Sequence, residues 1–196
     1  MLLSPQAERN WESLCSVLED VLEDQSHRQL FALELGSGTG QHVIRFAQKM
    51  PFVTWQPSDI EEASRESIKA YIAATHIQTV LQPVHLDASE PWEKWAGLSK
   101  NSCDIIIAIN LLQYSSFKTD SKVKLVFLVL FQVYAVNGII TPSRNEQLDA
   151  EIRKLNPEWG LPDIDVLRQH AYGNGLRLER MVEMEDYYKC LIFRKL

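Results

Sequence analysis

The sequence predicts a doubly wound α/β fold: a mainly parallel sheet with helices on both faces and a C-terminal antiparallel hairpin. Three observations carry this. Short apolar runs alternate with amphipathic helical stretches between residues 31 and 109. The run Ile105-Ile106-Ile107-Ala108-Ile109 lacks polar/apolar alternation, as expected of a strand covered on both faces. After Gly175, two strand-like runs follow each other across a short link.

In order, Ser4 and Pro5 read as N-cap and first residue of a helix whose apolar positions Trp11, Leu14, Cys15, Leu18, Val21 and Leu22 share a face. Residues 31–35 read as the first buried strand. Gly36 to Gly40 then turn into a helix carrying Val43, Phe46, Ala47 and Met50 on one side, stopped by Pro51. A strand at 52–56, a helix over 60–74 and strands at 80–86 and 104–109 continue the pattern. Ser143 and Glu146 read as a capping box for a helix to about Leu155, ended by Asn156-Pro157. Asp163 starts another, closed at Gly173, and runs 176–184 and 189–193 form the hairpin.

The 196 residues suffice for one core, so a single domain over 1–196 is expected. With 45% apolar and 23% charged residues the chain is neither disordered nor low-complexity. A net charge of -6 without a Lys/Arg run argues against nucleic-acid binding. Cys15, Cys103 and Cys190 lack the paired spacing of a zinc site and are too few for a disulfide framework, which suits a reducing compartment. No secretory signal is read at the N-terminus, and the longest apolar run, 125–131, is about a third of the ~20 residues that cross a bilayer. A soluble cytoplasmic or nuclear protein with no membrane partner is expected.

Glu34-Leu35-Gly36-Ser37-Gly38-Thr39-Gly40 leaves a strand and enters a helix, the setting in which glycines let a ligand lie against backbone N–H groups. A dinucleotide fingerprint would need glycine where Gln41 stands, and the Walker ending is absent. Asp59, 19 residues past Gly40, stands where a ribose-binding carboxylate belongs, and Asp87 ends the next expected strand. Glu34, Asp59 and Asp87 thus gather at the carboxyl edge with no neighbouring cation in sequence. Such a rim repels pyrophosphate and suits a cationic nucleoside without phosphate; S-adenosylmethionine, with a sulfonium and an ammonium against one carboxylate, is such a ligand.

Each acid has a plainer reading. Asp59-Ile60-Glu61-Glu62 is also a capping box, although Ser58 with Glu61 offers the same box one register earlier and leaves Asp59 to the ribose. The ligand role is preferred, since a cap is worth only ~1 kcal/mol and either residue supplies it. Asp87 reads equally well as a loop residue. Glu34 lies in a strand too apolar for an idle charge, which calls for N–H partners from the glycine turn. His85 and Asp87 are two candidate ligands without a third, so no metal is expected. His42 stands where it can touch a ligand, His27, His76 and His170 read as surface residues, and the tryptophans mostly as core.

Ser4 to Asn10, Glu34 to His42, Trp55-Gln56-Pro57-Ser58-Asp59, Ile109-Asn110, Asn156-Pro157-Glu158-Trp159-Gly160-Leu161 and Lys189 to Lys195 resemble the methyltransferase-like 26 family. The likeness covers nearly the whole chain and implies a Rossmann-like class I S-adenosylmethionine-dependent methyltransferase fold, with a seven-stranded sheet. It implies an N-terminal helix over 1–24, a cofactor-binding half over 25–110 and a C-terminal half over 134–196. By the same resemblance Gly36, Gly38 and Gly40 form the cofactor turn and Glu34 the acid that orders it. Asp59 matches the ribose acid, Asp87 the residue beside the adenine, and Asn110 the mouth where donor and acceptor meet. Glu8-Arg9-Asn10 sits on a helix that closes over the methionine end. The segment 111–133 departs from the family: similarity stops after about Gln113 and resumes at Tyr134, as in a variant, by splicing or gene model, with one piece replaced. A short crossover through 115–124 and a strand over 125–134 are expected there. The apolar run 125–131 is an aggregation hazard unless it lies inside the sheet.

Methyl transfer to a small, unidentified acceptor is the leading expectation, with Asn110, Gln113 and Tyr114 as catalytic candidates. No histidine or carboxylate is visibly poised as a base. Two rivals are a non-catalytic cofactor-binding or partner subunit, favoured by the altered segment, and an NAD-linked oxidoreductase, disfavoured by Gln41.

Overall fold

The structure is a computed structural model in which residues 1–98, 103–115 and 125–196 are described. Its elements are α1 (Pro5–Leu22), β1 (Leu30–Leu35), α2 (Gln41–Lys49), β2 (Val53–Pro57), α3 (Glu62–Thr75), β3 (Ile105–Ile109), β4 (Phe127–Gln132), α4 (Ser143–Leu155), α5 (Ile164–Gly173), β5 (Leu176–Glu183) and β6 (Lys189–Lys195). Among the described residues six strands form one sheet, in the order β2-β1-β3-β4-β6-β5. The first four run parallel, and β6 and β5 are antiparallel. The mixed α/β class with an antiparallel hairpin at the C-terminal end is therefore as the sequence predicts.

Successive side chains of the central strands enter different cores. Ala32, Ile105, Ile107, Val129 and Ile192 pack against α1 and α2 through Leu14, Leu18, Val43 and Phe46. Leu33, Ile106, Leu128, Leu130 and Leu191 pack on the opposite side with Trp92, Trp95, Ile164 and Ala171. Burial on both faces explains why these strands show no alternation. The whole of β4 is buried, so the apolar run that supplies it lies inside the sheet between β3 and β6. Ser4 caps α1 as expected, its hydroxyl accepting from Ala7 N at 3.3 Å.

Two expectations are corrected. Residues 80–86 form no regular strand. Leu81 N and Val84 N donate to Trp55 and Pro57 of β2, but Pro83 interrupts the ladder because it has no N–H. The Gln56 amide fills the gap by donating to Gln82 O at 3.0 Å. Ser143 is not a cap either: it is already the first helical residue of α4, and Pro142 holds the cap position without a side-chain bond. Of the expected crossover 115–124, all but Ser115 lies outside the described residues. Among the described residues no helix is long and apolar enough to cross a membrane.

Phe131, 1% exposed, packs in the core and stacks on Tyr188 at 4.9 Å. Phe131→Ala should destabilise the fold by about 3–5 kcal/mol. In urea unfolding this appears as a lower midpoint with an unchanged slope.

Candidate functional site

The carboxyl edge of the parallel strands is built around the turn after β1. Ser37 N donates to Ser58 O at 2.8 Å, Ser58 N donates to Ser37 Oγ at 3.0 Å, and Ser58 Oγ donates to Glu34 O at 2.6 Å. These reciprocal bonds join the ends of β1 and β2. Gly40 enters α2 with φ +92°, and a Cβ there would lie 2.9 Å from Ile68 Cγ1, so the position accepts only glycine. Gly38, at φ +57°, is different: a Cβ there would meet nothing within 4 Å. Its outer side is open to a ligand.

Glu34 is 2% exposed, and its Oε2 has no hydrogen-bond partner. The expected N–H partners from the glycine turn are engaged elsewhere: Ser37 N with Ser58 O, Gly38 N with Asp59 Oδ2 at 2.9 Å, and Gly40 N with Ser37 O. Burial pushes the carboxyl up to about 8, the Ser37 bond opposes this, and the Asp59 charge adds to it. The buried carboxyl therefore favours its neutral form at neutral pH.

Asp59 binds the two turns at the sheet edge together. One oxygen accepts from Gly38 N and the other from Glu61 N, both at 2.9 Å. Neither Ser58 nor Asp59 caps α3, since the cap position is Glu61. Each Asp59 oxygen retains a second lone-pair site. Asp87 accepts from Ser89 N at 2.9 Å and Ser89 Oγ at 2.6 Å, and these bonds hold it below the usual carboxylate range.

A cleft of about 600 Å³ opens along this edge, within the range of small-molecule sites. Gly36, Asp59 and Asp87 line one part with the apolar Ile60, Leu86 and Ala88. Leu111, Tyr114, Asn156 and Trp159 line the other, where Tyr114 and Trp159 meet edge to face at 6.2 Å. Its described lining holds three carboxylates, Asp59, Glu61 and Asp87, and neither lysine nor arginine. Glu34, Gly38, Gly40, Asn110 and Gln113 are not among its lining residues. Gln113 is buried, its carbonyl accepting from Gly160 N. Asn110 turns toward α1, donating from Nδ2 to Gln6 Oε1 at 3.4 Å. Among the described residues no three His, Cys, Asp or Glu side chains come together as metal ligands.

The first turns of α1 are fastened to the glycine turn by Gln41, a residue whose only sequence signal is that it is not glycine. Its Oε1 accepts from Ser4 N at 2.6 Å and its Nε2 donates to Glu8 Oε1 at 2.6 Å. His42 Nε2 bonds Asn10 Oδ1 at 2.6 Å, and desolvation lowers this imidazole to about 4. His42 is therefore a neutral strut between helices. Ile60, Leu86, Ala88 and Leu111, which wall the cleft, are ordinary apolar residues in sequence and carry no motif.

Comparison with solved structures finds the same fold in proteins described as methyltransferases. A Galdieria sulphuraria protein assigned provisionally as a sarcosine dimethylglycine methyltransferase matches with a TM-score of 0.72 at 16% identity, over 99% of this chain and 91% of that one. The magnesium protoporphyrin IX methyltransferase of Synechocystis PCC 6803, with bound SAH, matches at 0.64 and 16% identity, over 95% and 84%. The mitomycin 7-O-methyltransferase matches at 0.67 and 11% identity over 86% of this chain, which spans only 49% of that enzyme. In sequence, the family described as Protein of unknown function (DUF938) matches residues 1–195, and the chain belongs to that family.

Proposed function

We propose that the protein is an S-adenosylmethionine-dependent methyltransferase acting on a small acceptor. The observation that carries the reading is a buried carboxyl, Glu34, with one oxygen unpartnered at the foot of the glycine turn, near a cleft whose described lining has carboxylates and no cation. A phosphate-bearing nucleotide is repelled by such a lining, while a cationic nucleoside is favoured. When bound, the cofactor supplies a methyl group on positively charged sulfur.

The residues suit that ligand. Asp59 has lone pairs left for ribose hydroxyls, Leu86, Ala88 and Leu111 offer apolar walls for a base, and the outer side of Gly38 leaves room against the backbone. Glu34, once ionised, offers an anionic oxygen to the amino-acid end. In-line methyl transfer needs chiefly alignment, so the work of these groups is positioning. The residues quoted above also lead us to propose kinship with the methyltransferase-like 26 family, with 111–133 as a replaced piece.

Titration calorimetry with S-adenosylmethionine tests the reading, and millimolar cofactor without heat or thermal stabilisation overturns it. Asp59→Ala should weaken binding by about 1.5–3 kcal/mol. Labelled methyl transfer separates an enzyme from a subunit that binds without turnover.

Glu34 adds a pH signature. Its folded value near 8 lies above the ordinary 4.5, so its contribution to stability is full below 4.5 and is lost as pH rises through 8. Glu34→Gln should therefore melt higher than wild type above pH 8 while binding the cofactor more weakly. Below pH 8, cofactor binding by the wild type should release a proton that the variant does not, read by calorimetry in buffers of different ionisation enthalpy.

A further inference from the structure

Two Asn-Gly pairs occur in the chain, Asn137-Gly138 and Asn174-Gly175, and the fold treats them differently. Asn137 and Gly138 are the central residues of a tight hairpin in which Val136 N donates to Ile139 O at 2.9 Å and Ile139 N donates to Val136 O at 3.0 Å. Both lie in the left-handed region, at φ 53° and 75°, as a type I′ turn requires. Both are exposed, and among the described residues the Asn137 side-chain amide has no hydrogen-bond partner. Asn174 ends α5 in a closed setting. Its Nδ2 donates to His170 O at 2.9 Å, Gly175 N donates to Tyr172 O at 3.0 Å, and Lys195 Nζ donates to Asn174 O at 3.1 Å.

An asparagine amide is most open to attack by the backbone nitrogen that follows it when that nitrogen belongs to glycine, which has no side chain to hinder the approach. Gly138 N is held at one point: it donates to Asp163 Oδ2 at 2.7 Å. Asp163 also caps α5 by accepting from Asp165 N at 2.9 Å, and these bonds hold its carboxyl below the usual range. A nitrogen whose proton is bonded to a carboxylate is a poor nucleophile, because the bond must break and the proton leave before the lone pair is available. The carboxylate is far too weak a base to take that proton itself. Asp163 is therefore a latch on the turn.

We propose that Asn137-Gly138 is a self-modifying site whose rate is set by the Asp163 latch. Hydroxide removes the proton of Gly138 N, the nitrogen attacks Asn137 Cγ, and the side-chain nitrogen takes a proton from water and leaves as ammonia, which regenerates the hydroxide. The product is a five-membered cyclic imide. Water opens it at Cγ to give aspartate, or at the main-chain carbonyl to give isoaspartate, in which the chain runs through the former side chain. Either product adds a carboxylate one residue from the Asp163 bond, and isoaspartate also lengthens the turn by one backbone carbon. The hairpin bonds and the Gly138 bond then no longer fit one geometry. Beside them, Ala135 N donates to Pro162 O and Ile164 N donates to Ala135 O, so the modification loosens the join between the end of β4 and α5.

The test incubates the full chain folded at mildly alkaline pH and, in parallel, unfolded in guanidinium chloride, and follows the tryptic peptides by mass and retention. In the folded chain Asn137 should convert to aspartate and isoaspartate at least about tenfold faster than Asn174. In guanidinium that order should vanish or reverse, since Gly173 before Asn174 crowds the amide less than the β-branched Val136 before Asn137. Asp163→Ser keeps a helix cap but is too short to reach Gly138. It should speed conversion of folded Asn137 roughly tenfold to hundredfold, with Asn174 unchanged. Asp163→Asn, which keeps a neutral acceptor, should fall between the two, and it carries the test if the serine variant melts below the incubation temperature. Folded Asn137 that converts no faster than Asn174 overturns the site. Asp163 variants with the wild-type rate overturn the latch. A ratio between the two pairs that is the same with and without guanidinium overturns both, by assigning the difference to sequence alone.

Discussion

The interlock of Ser37 with Ser58 is the constraint on which the candidate site depends. Each residue satisfies a backbone group of the other, and the Ser58 hydroxyl also closes on the carbonyl of Glu34. With Ser58 fully buried, these bonds are shielded from water and worth more than exposed ones. They fix the turn after β1 against the turn after β2, and Asp59 extends the fastening to Gly38 and Glu61. The carboxyl edge therefore enters binding already organised, so little ordering entropy remains to be lost there.

That organisation leaves the Glu34 carboxyl without compensation. The turn amides that would solvate it serve the interlock instead, and a neutral acid is the state the fold tolerates. A cation arriving there reverses the preference, because it supplies the counter-charge the turn withholds. Asp59 stands in a different position: both its oxygens already accept from backbone donors, Gly38 N and Glu61 N, so the two acids answer to different ligand groups.

Much of this was legible in the chain because the informative features are local. The doubly buried strands, the glycine turn, Asp59 and the closing hairpin each declare themselves within a few residues. Pro83 was legible too as a ladder breaker, yet the apolar residues around it gave the stronger periodic signal. Ser143 and Glu146 have the right spacing for a cap, but the helix begins one residue early. The unread features are long-range. Asn110 meets Gln6 across 104 positions and Gln6 meets Tyr188 across 182, and no periodicity relates them. Gln41 looked like a missing glycine until its partners on α1 were visible.

The fastening of α1 has a consequence for the order of assembly. Ser4, Glu8 and Asn10 reach Gln41 and His42 over 32 to 37 positions, whereas Gln6 reaches Tyr188 over 182. Closing the shorter loops costs less chain entropy, so the first helix docks on α2 more cheaply than it finds the hairpin. One face of α1 is thus a local contact and the other a distant one, and the distant face is the one a slow search has to complete.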